Sequence, residues 1–545
     1  MTVVETKVKT KAEVKRRKGT SEAIKLRQIK LPVLSRIHGD FADYKDITIN
    51  YPFLMLYLRV ISLSGLSVKK LFSLLGVAGG IIGASYKVFR KLDILVNKWG
   101  YKSTKALRYL ADSTKHRELR GLLFRLAYAI SIGISIKDFS KLEYQKYVLQ
   151  EDREISHKMD RLKVFSDAYS ALLNANILIA VITVMIGMTF GAAEPVSTLT
   201  SALIVIAVSI IGILLLFKVT VPPRGSIIHT DKPLPKHLKT LLFISKPALV
   251  IATITIIGPT GVSIQLVSQL PESYLQLYIL LNYVLPVTYG VAGLMLFTIG
   301  FIGMRRAKAI DNLDQLYMIF IKTLGEATAV AGSLREGVRR IIHNDYKELN
   351  PYIRRLFNRL KTGIRTEISW KVFAIETGSN IIYRYTAVYV NALKVGSPAI
   401  EMSNIIYDAI HREIVIRNRR ISVANYLKGM ILPLQGVFTA IFTLIATLTS
   451  IFYKISRLVS GYISILSIPN PLFIILFLFL GSLILTFGNS IAIYILRGDS
   501  IFTLLYYLGL LSIISSFTYL ILSHGLSWIF NMFIGFERGL REIGI

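Results

Sequence analysis

The sequence predicts an all-α, multi-pass helical membrane protein with two related cytoplasmic helical-bundle modules, and three observations lead to this fold class. The mean hydropathy is +0.53 and 53% of the 545 residues are apolar, which is more than a soluble globular protein carries. Several uncharged runs are long enough to cross a bilayer, because a spanning helix needs about 20 apolar residues. The formal net charge is +32, and the basic residues are concentrated between these runs.

Residues 1–35 are expected to form a basic cytoplasmic tail. The first 30 residues contain repeated Lys and Arg. They lack the apolar stretch that a cleavable signal peptide requires. The chain is therefore expected to enter the membrane through its internal apolar runs.

Residues 36–167 are predicted to form a first helical module that contains one doubtful segment. Leu71–Tyr86 is uncharged and rich in small residues, but it is shorter than a spanning helix. If it crossed the membrane, the tail and the basic block from Lys87 to Lys163 would lie on opposite sides, although Lys and Arg favour the cytoplasmic side. We therefore expect a buried or interfacial helix there.

Seven membrane spans are predicted from runs without Asp, Glu, Lys or Arg, four within 168–304 and about three within 429–545. A Pro-Asn-Pro stretch that ends at Pro471 should interrupt one long run, so 458–470 is expected to be an outside or interfacial segment. The predicted spans are Ala168–Ala193, Pro195–Phe217, Pro247–Pro271, Ser273–Met304, Gly429–Tyr453, the run from Pro471 to Leu496, and a stretch within Ile501–Phe536 that ends near Gly525.

With the N-terminus inside, seven spans place 218–246 and 305–428 on the cytoplasmic side of the cell membrane. Every strongly basic segment then lies on one face, next to anionic membrane lipid, as the positive-inside rule requires. The same charge would suit nucleic acid, but nucleic-acid-binding proteins do not normally carry several membrane-length apolar runs. We therefore expect no nucleic-acid partner.

Residues 305–428 are predicted to form a second helical module that repeats the first. In each module a helix runs into a glycine, which can end a helix in the left-handed conformation without steric cost. A serine three residues before an acid follows, which is the pattern of a capping box. A third turn ends the helix around Tyr383–Val395, and its proline suits the first position of the next helix. The residues of the three turns are Gly133, Ser135, Asp138, Gly332, Ser333, Glu336, Gly396, Ser397 and Pro398.

Each module then sends a charged helix into the membrane, Glu151–Phe165 from the first and Asp408–Tyr426 from the second. Capped turns alone occur in any helical bundle. The order of parts is more specific, because a basic helical module, spans, a second similar module and further spans follow one another.

This order resembles the platform (F-domain) proteins of type II secretion and type IV pilus machines. It is most similar to their archaeal branch, which includes archaellum (FlaJ/ArlJ-like) and adhesive-pilus platforms. The resemblance covers most of 87–455. It rests on the repeated helix–Gly–helix units, on Glu376-Thr-Gly-Ser379 leading into the helix that Gly396 ends, and on the four spans between the modules.

The resemblance implies a non-enzymatic platform, a homodimer in the cell membrane beneath a filament that serves cell motility or adhesion. It also implies a hexameric secretion ATPase as the cytoplasmic partner, and pilin- or archaellin-like subunits that are inserted into the filament. The alternative for any basic side chain is that it only solvates the module or contacts anionic lipid. The candidate ATPase contacts are Arg125, Lys137, Arg335, Arg339, Arg340, Arg354, Arg355 and Arg359.

The sequence contains no catalytic, metal or cofactor motif. The glycines of 76–83 lie in an apolar stretch and no Lys-Ser/Thr pair follows, so the chain should not cradle ATP phosphates as a P-loop does. The eight histidines form no His-Glu-x-x-His pattern, and the chain has no cysteine. We therefore expect neither a metal site nor thiol chemistry.

Two other functions would use a similar architecture. A membrane subunit of a transporter or flippase would also need an external ATPase, but the spans lack the acidic and basic side chains that ion coupling requires near the midplane. A membrane glycosyl- or lipid-transferase would want clustered acids at the outer face, where only Glu194 and Glu272 are predicted. Neighbouring genes would separate a platform from a transporter, since a secretion ATPase and pilins favour the first reading.

Overall fold

The computed structural model describes residues 43–189, 195–222, 226–229, 234–267, 274–459 and 470–542. Within these ranges every regular element is a helix, and the only β-pairing is an isolated bridge between Ile228 and Ser379. The predicted all-α class is confirmed. The predicted outside segment 458–470 lies almost entirely outside the described residues, as do Glu194 and Glu272.

The helices fall into a short group, a long group, a second short group and a second long group. The first short helices are α1 (43–62), α2 (Val68–Val77), α3 (Gly79–Ile82), α4 (Ser85–Asp93), α5 (Ser103–Ser113) and α6 (Arg117–Ser131). The first long ones are α7 (Ile136–Thr189), α8 (Pro195–Thr220), α9 (Lys236–Val267), and α10 (Tyr274–Ile279), which continues through a π-helical turn into α11 (Leu285–Ala331). The remainder are α12 (Leu334–Ile341), α13 (Asn350–Lys361), α14 (Thr366–Thr377), α15 (Asn380–Lys394), α16 (Ala399–Val459), α17 (Pro471–Arg497) and α18 (Ile501–Glu542).

Seven of these helices are long and apolar enough to cross a membrane, namely α7, α8, α9, the continuous α10–α11, α16, α17 and α18. Each of them overlaps one of the seven predicted runs, so the multi-pass prediction is confirmed. The apolar window of α17 is 72% buried by other helices, whereas that of α9 is 22% buried. Helix α17 therefore lies inside the membrane bundle, and α9 presents most of its surface to lipid.

Leu71–Tyr86 does not form a single helix. It is divided among α2, α3 and α4. Gly83 separates α3 from α4 with φ +56°, and a Cβ at this position would collide with the side-chain nitrogen of Asn50, so the break requires glycine. Leu75 in α2 is fully buried. As expected, this stretch is packed into the protein and is not among the candidate spans in the described residues.

Three spanning helices continue far beyond the bilayer without a break. Helices α7, α11 and α16 contain 54, 47 and 61 residues, and at about 1.5 Å per residue they are about 80, 70 and 90 Å long, against a bilayer core of about 30 Å. The module boundaries predicted at 167, 304 and 428 each lie inside one of these helices. A change from apolar to charged side chains leaves the backbone hydrogen bonds intact, so it marks the membrane boundary without ending the helix.

Among the described residues, one compact unit comprises 43–148 together with Val388–Met402, and the other comprises those of Leu149–Ala387 and of 403–542. In the first unit the Ser397 hydroxyl donates to the backbone carbonyl of Val60 at 2.9 Å. This bond fixes the turn before α16 against α1.

A buried histidine begins α6 in the same unit. The Nδ1 atom of His116 accepts a hydrogen bond from the backbone N–H of Leu119 at 3.3 Å, and its Nε2 lies 3.1 Å from the Thr48 hydroxyl oxygen. Burial lowers the pKa of His116 below its ordinary value. The neutral ring is required for this cap, because a protonated Nδ1 cannot accept a hydrogen bond.

The three glycine turns all use the left-handed region. Gly133, Gly332 and Gly396 have φ of +80°, +71° and +87°, where a side chain would be strained. The sequence predicted Pro398 as the first residue of the next helix, but α16 begins one residue later, at Ala399.

The capping acids differ from the expected capping box. Ser135 Oγ accepts from the Asp138 N–H at 3.0 Å, and Ser333 Oγ accepts from the Glu336 N–H at 3.3 Å. The Asp138 carboxylate, however, accepts from the Ser135 hydroxyl at 2.6 Å, and Glu336 lies 3.5 Å from Arg339. Aspartate is one carbon shorter than the usual glutamate, and Glu336 has a charged partner one turn away, which is the stronger interaction.

Candidate functional site

A buried ionic cluster connects the second group of short helices to the membrane helices. The Arg417 guanidinium on α16 lies 2.7 Å from a carboxylate oxygen of Asp311 and 2.7 Å from one of Asp314, both on α11. Asp314 also accepts a hydrogen bond from the Ser379 hydroxyl, which lies between α14 and α15. The Asp314 side chain is 0% exposed and that of Arg417 is 13% exposed. We call these four residues the ionic junction.

The local sequence explains why these groups meet. Asp311 and Asp314 are three residues apart, so they lie on one face of α11. Gly378 ends α14 in the left-handed conformation, with φ +72°. Ser379 then caps α15, since its Oγ accepts from the Ile382 N–H at 3.0 Å. A single serine hydroxyl therefore caps a helix and donates to a buried carboxylate.

The ionic junction lies just beyond the apolar spans. Asp314 is about 15 Å along α11 from Met304, where the predicted span ends, and Arg417 is about 18 Å along α16 from Gly429, at about 1.5 Å per residue. The two arms of the junction thus reach similar levels along their helices. Movement of α12–α15 would be transmitted to the membrane helices at this level.

The segment 226–229, between α8 and α9, lies between two helix turns. On one side the Asn380 N–H donates to the Ile227 carbonyl at 2.8 Å. On the other, the Ile227 N–H donates to the carbonyl of Asp499 at 3.3 Å, and the Ser226 hydroxyl donates to the same oxygen at 3.0 Å. The connection therefore joins the α14–α15 turn to the α17–α18 turn.

A second arginine of α16 closes the end of α17. Arg420 donates from Nε to the Leu496 carbonyl and from Nη2 to the Ile495 carbonyl, each at 3.3 Å. These are orphan acceptors at the negative end of a helix. Gly498 follows with φ +62°, and a Cβ there would collide with the Arg420 guanidinium. Glycine is needed for the backbone conformation and for the approach of the arginine.

A glutamate joins helix α13 to the turn between α14 and α15, which contains Ser379. The Glu376 carboxylate lies 3.1 Å from Arg355 Nε, and it also pairs with Arg359. Glu376 is in the last turn of α14, close to Ser379. An ion pair on α13 and the buried junction are thus linked through one short turn, which is the Glu376-Thr-Gly-Ser379 motif of the family resemblance.

The predicted ATPase contacts of the second module fall into two groups. Arg335 and Arg340 on α12 and Arg354 on α13 are exposed, and they form no ion pair with residues that the structure describes. Arg339 pairs with Glu336, while Arg355 and Arg359 pair with Glu376, as above. The first three side chains are the ones open to an acidic partner.

The two predicted contacts in the first unit have acidic neighbours. Arg125 forms an ion pair with Glu143, whose side chain is 10% exposed. Lys137 lies 4.0 Å from Glu401, and both of these side chains are about half exposed. Lys137 is therefore the more accessible of the two.

Within the spans an uncharged hydrogen-bond network joins five helices. Gln435 on α16 donates to Thr486 at 2.9 Å and to Ser515 at 2.8 Å, and it accepts from Asn489 at 2.8 Å. Asn489 in turn accepts from the Tyr169 hydroxyl at 2.7 Å. Tyr289 on α11 donates to Thr486 as well. This network was not predicted from the sequence, although Gln435 and Asn489 are conspicuous amides in otherwise apolar runs.

The ionic junction was also not identified from sequence. A carboxylate pair at Asp311 and Asp314 is an ordinary pattern for an exposed helix face, and Arg417 belongs to a charged stretch. Among the described residues, no group of three His, Asp or Glu side chains could hold a metal ion. The site therefore offers a charged connection between helices.

Comparison with known proteins gives two relatives of similar length. The chain is 24% identical over 426 residues to "Flagella accessory protein J" of Methanococcus voltae, an alignment that covers 76% of this chain and 71% of that protein. It is 23% identical over 426 residues to the protein of the same name from Methanocaldococcus jannaschii, with the same coverage. No family model matches the chain, and no solved structure matches it.

Proposed function

We propose that this chain, whose predicted resemblance to the archaeal FlaJ-like proteins is confirmed by these relatives, is the membrane platform on which an archaellum-type filament is assembled. The similarity extends over three quarters of the chain, which supports the same role for the whole architecture of spans and short-helix modules. On this proposal the chain is no enzyme. It is dimeric, and its basic modules lie on the cytoplasmic side next to anionic lipid.

The proposal further assigns a hexameric secretion ATPase as the motor. The exposed Arg335, Arg340 and Arg354 would contact acidic surfaces of that partner, because opposite charge speeds and orients docking. Motion would then pass from α13 through Glu376 to Ser379 and the ionic junction. The single observation that carries this route is the junction itself, since it connects that turn to two long spanning helices.

Helix continuity supports transmission. Because α11 and α16 pass from the junction into the membrane without interruption, a tilt at the junction moves the membrane segments of both helices. Pilin- or archaellin-like subunits would be lifted from the bilayer into the filament by that movement. A hinge or flexible linker at the same place would dissipate it.

Charge reversal tests the docking step. We expect the R335E/R340E/R354E variant to lose co-purification with a secretion ATPase from the same organism, because three attractive contacts become repulsive. The matched control reverses an exposed Lys98 in the first unit, which should leave co-purification unchanged. Equal ATPase recovery with the folded triple variant and with the wild-type protein would refute the assignment of this surface.

A further inference from the structure

A polar cavity of about 180 Å³ lies among α10–α11, α16, α17 and α18. It lies at the start of α10–α11 and of α17, towards the end of α16 and beside the middle of α18. Along α11 and α16 it is on the other side of the membrane span from the ionic junction. Nine of its described lining residues carry a hydroxyl or an amide, and none of the described lining residues is charged.

The hydroxyl hydrogens of the cavity wall are largely committed to the backbone. Thr443, Thr447 and Ser450 on α16 donate to carbonyls four residues earlier, at 2.7, 2.8 and 2.9 Å. Ser527 on α18 does the same at 2.7 Å. Each hydroxyl oxygen keeps its lone pairs, so these side chains present acceptors to the cavity.

The amide in the wall is partly committed as well. Asn282 donates to the Tyr278 carbonyl at 3.0 Å, and its Oδ1 accepts from the Tyr519 hydroxyl at 3.2 Å. Even with the Tyr278 and Tyr453 hydroxyls counted as donors, the described lining of the cavity offers more acceptors than donors. A complementary ligand must bring several hydrogen-bond donors.

Charge narrows the chemistry of the ligand further. A cation would lack a carboxylate partner among the described lining residues, and an anion would meet oxygen lone pairs without a Lys or Arg, so either would be costly to desolvate. A neutral group with many hydrogen-bond donors avoids the desolvation penalty of a charge. A polyhydroxylated ring has this composition.

The adjoining space limits how much of a ligand can enter. A second pocket, which shares Thr443 and Tyr519 with the cavity, continues towards the middle of the bundle and is mostly apolar, but its volume is only about 20 Å³. This is room for only about one water, so the pocket is too small for an extended lipid chain. A lipid would place only its headgroup in the cavity, and its tails would stay in the bilayer.

We propose that this cavity binds a neutral sugar, of the kind found as a hexose headgroup on a membrane lipid or as a soluble hexoside. The donors of the sugar would satisfy the acceptors on α16 and α18. The inference depends on the geometry of the cavity and is independent of the proposed platform function.

The test measures binding to the full chain in nanodiscs of phosphatidylglycerol. We expect monoglucosyl diacylglycerol to be retained at least tenfold more tightly than diacylglycerol without the sugar, as read by native mass spectrometry. Competition by methyl glucoside would identify the sugar itself as the recognised group whatever its carrier, whereas retention without competition would identify the lipid as the source. Equal retention of the two lipids, with no binding of methyl glucoside, would overturn the proposal.

Variants locate the site. The T447V/S450A variant removes two acceptors with little change of volume, and it should weaken retention about tenfold, at about threefold for each lost hydrogen bond. The matched control is T255V on α9, where the hydroxyl also donates to a carbonyl four residues earlier, at 2.8 Å, but the residue is partly exposed and lies outside the described lining of the cavity. Unchanged retention by T447V/S450A, with its thermal stability intact, would refute this cavity as the site.

Discussion

Replacing Arg417 by methionine tests whether the ionic junction is a structural necessity. The substitution keeps much of the side-chain volume but leaves two carboxylates without their guanidinium. Asp314 is 0% exposed and Asp311 is 21% exposed, so the first carboxylate is fully desolvated and the second is partly hydrated. Removing one partner of a buried pair costs about 3–5 kcal/mol, and the partial hydration of Asp311 places our expectation near about 3 kcal/mol.

The measurement is the free energy of unfolding in mixed detergent micelles, from the denaturing-detergent fraction at the midpoint and the slope. The control is Arg335→Met, which removes an exposed arginine and should change that free energy by no more than about 0.5 kcal/mol. A loss below about 1 kcal/mol for Arg417→Met would refute the reasoning, because a solvated or absent ion pair would give that value.

Adding Asp314→Leu to Arg417→Met separates stability from coupling. The double variant removes the fully buried carboxylate and leaves only the partly hydrated Asp311 unpaired, so we expect it to recover about 2 kcal/mol relative to the single Arg417 variant. The link from Ser379 to α11 and α16 is nevertheless lost, and we expect cells with the pair to lack filaments by electron microscopy. A stable pair that assembles normal filaments would contradict transmission through the junction.

Three further predictions follow from single contacts. Gly498→Ala should lower the free energy of unfolding by about 1–3 kcal/mol, from left-handed strain and the clash with Arg420, whereas Gly429→Ala, which meets open space in a helix, should be neutral or stabilising. For His116, the lowered pKa means that the cap contributes its full stability above about pH 6.5 and that this stability is lost as the pH falls through that value towards the folded-state pKa. Amide exchange at the start of α6 should therefore accelerate between about pH 7 and pH 5. The His116→Gln variant should abolish that pH dependence. Gln435→Leu should cost about 2 kcal/mol of unfolding free energy in micelles, at about 0.6 kcal/mol for each of its hydrogen bonds and up to about 1.7 kcal/mol; no loss would show that the neighbouring hydroxyls pair without it.

The spans could be predicted from sequence because lipid imposes a simple requirement on composition and length. The continuity of α7, α11 and α16 could not be predicted in the same way. The boundaries were predicted from the change from apolar to charged residues. This change marks where a helix leaves the membrane but does not show whether the helix continues. Caps and glycines, such as Gly332 after α11, gave the true ends.

The contacts of the site were beyond sequence reasoning for a different reason. Ser379 was noticed as part of a motif, but its partner Asp314 is 65 residues away, and Arg417 is 103 residues from Asp314. Single-sequence patterns carry information about neighbours three or four residues apart, and nothing in them selects one distant acid. For the same reason Arg355 and Arg359 looked free for docking, while the fold gives both of them to Glu376.

The segment 226–229, which is hydrogen-bonded to two helix turns, limits where a reporter can be inserted to map which side of the membrane each loop occupies. Connections between spanning helices are usually chosen for reporter fusions and epitope tags, because loops tolerate insertion. Here the backbone of Ile227 is hydrogen-bonded on both sides, to Asn380 and to Asp499. An insertion would separate the turns that this segment joins, so the reporter would disturb the arrangement that it is meant to record. The glycine turn after α6, which carries exposed residues around Gly133, is a better place for such a tag.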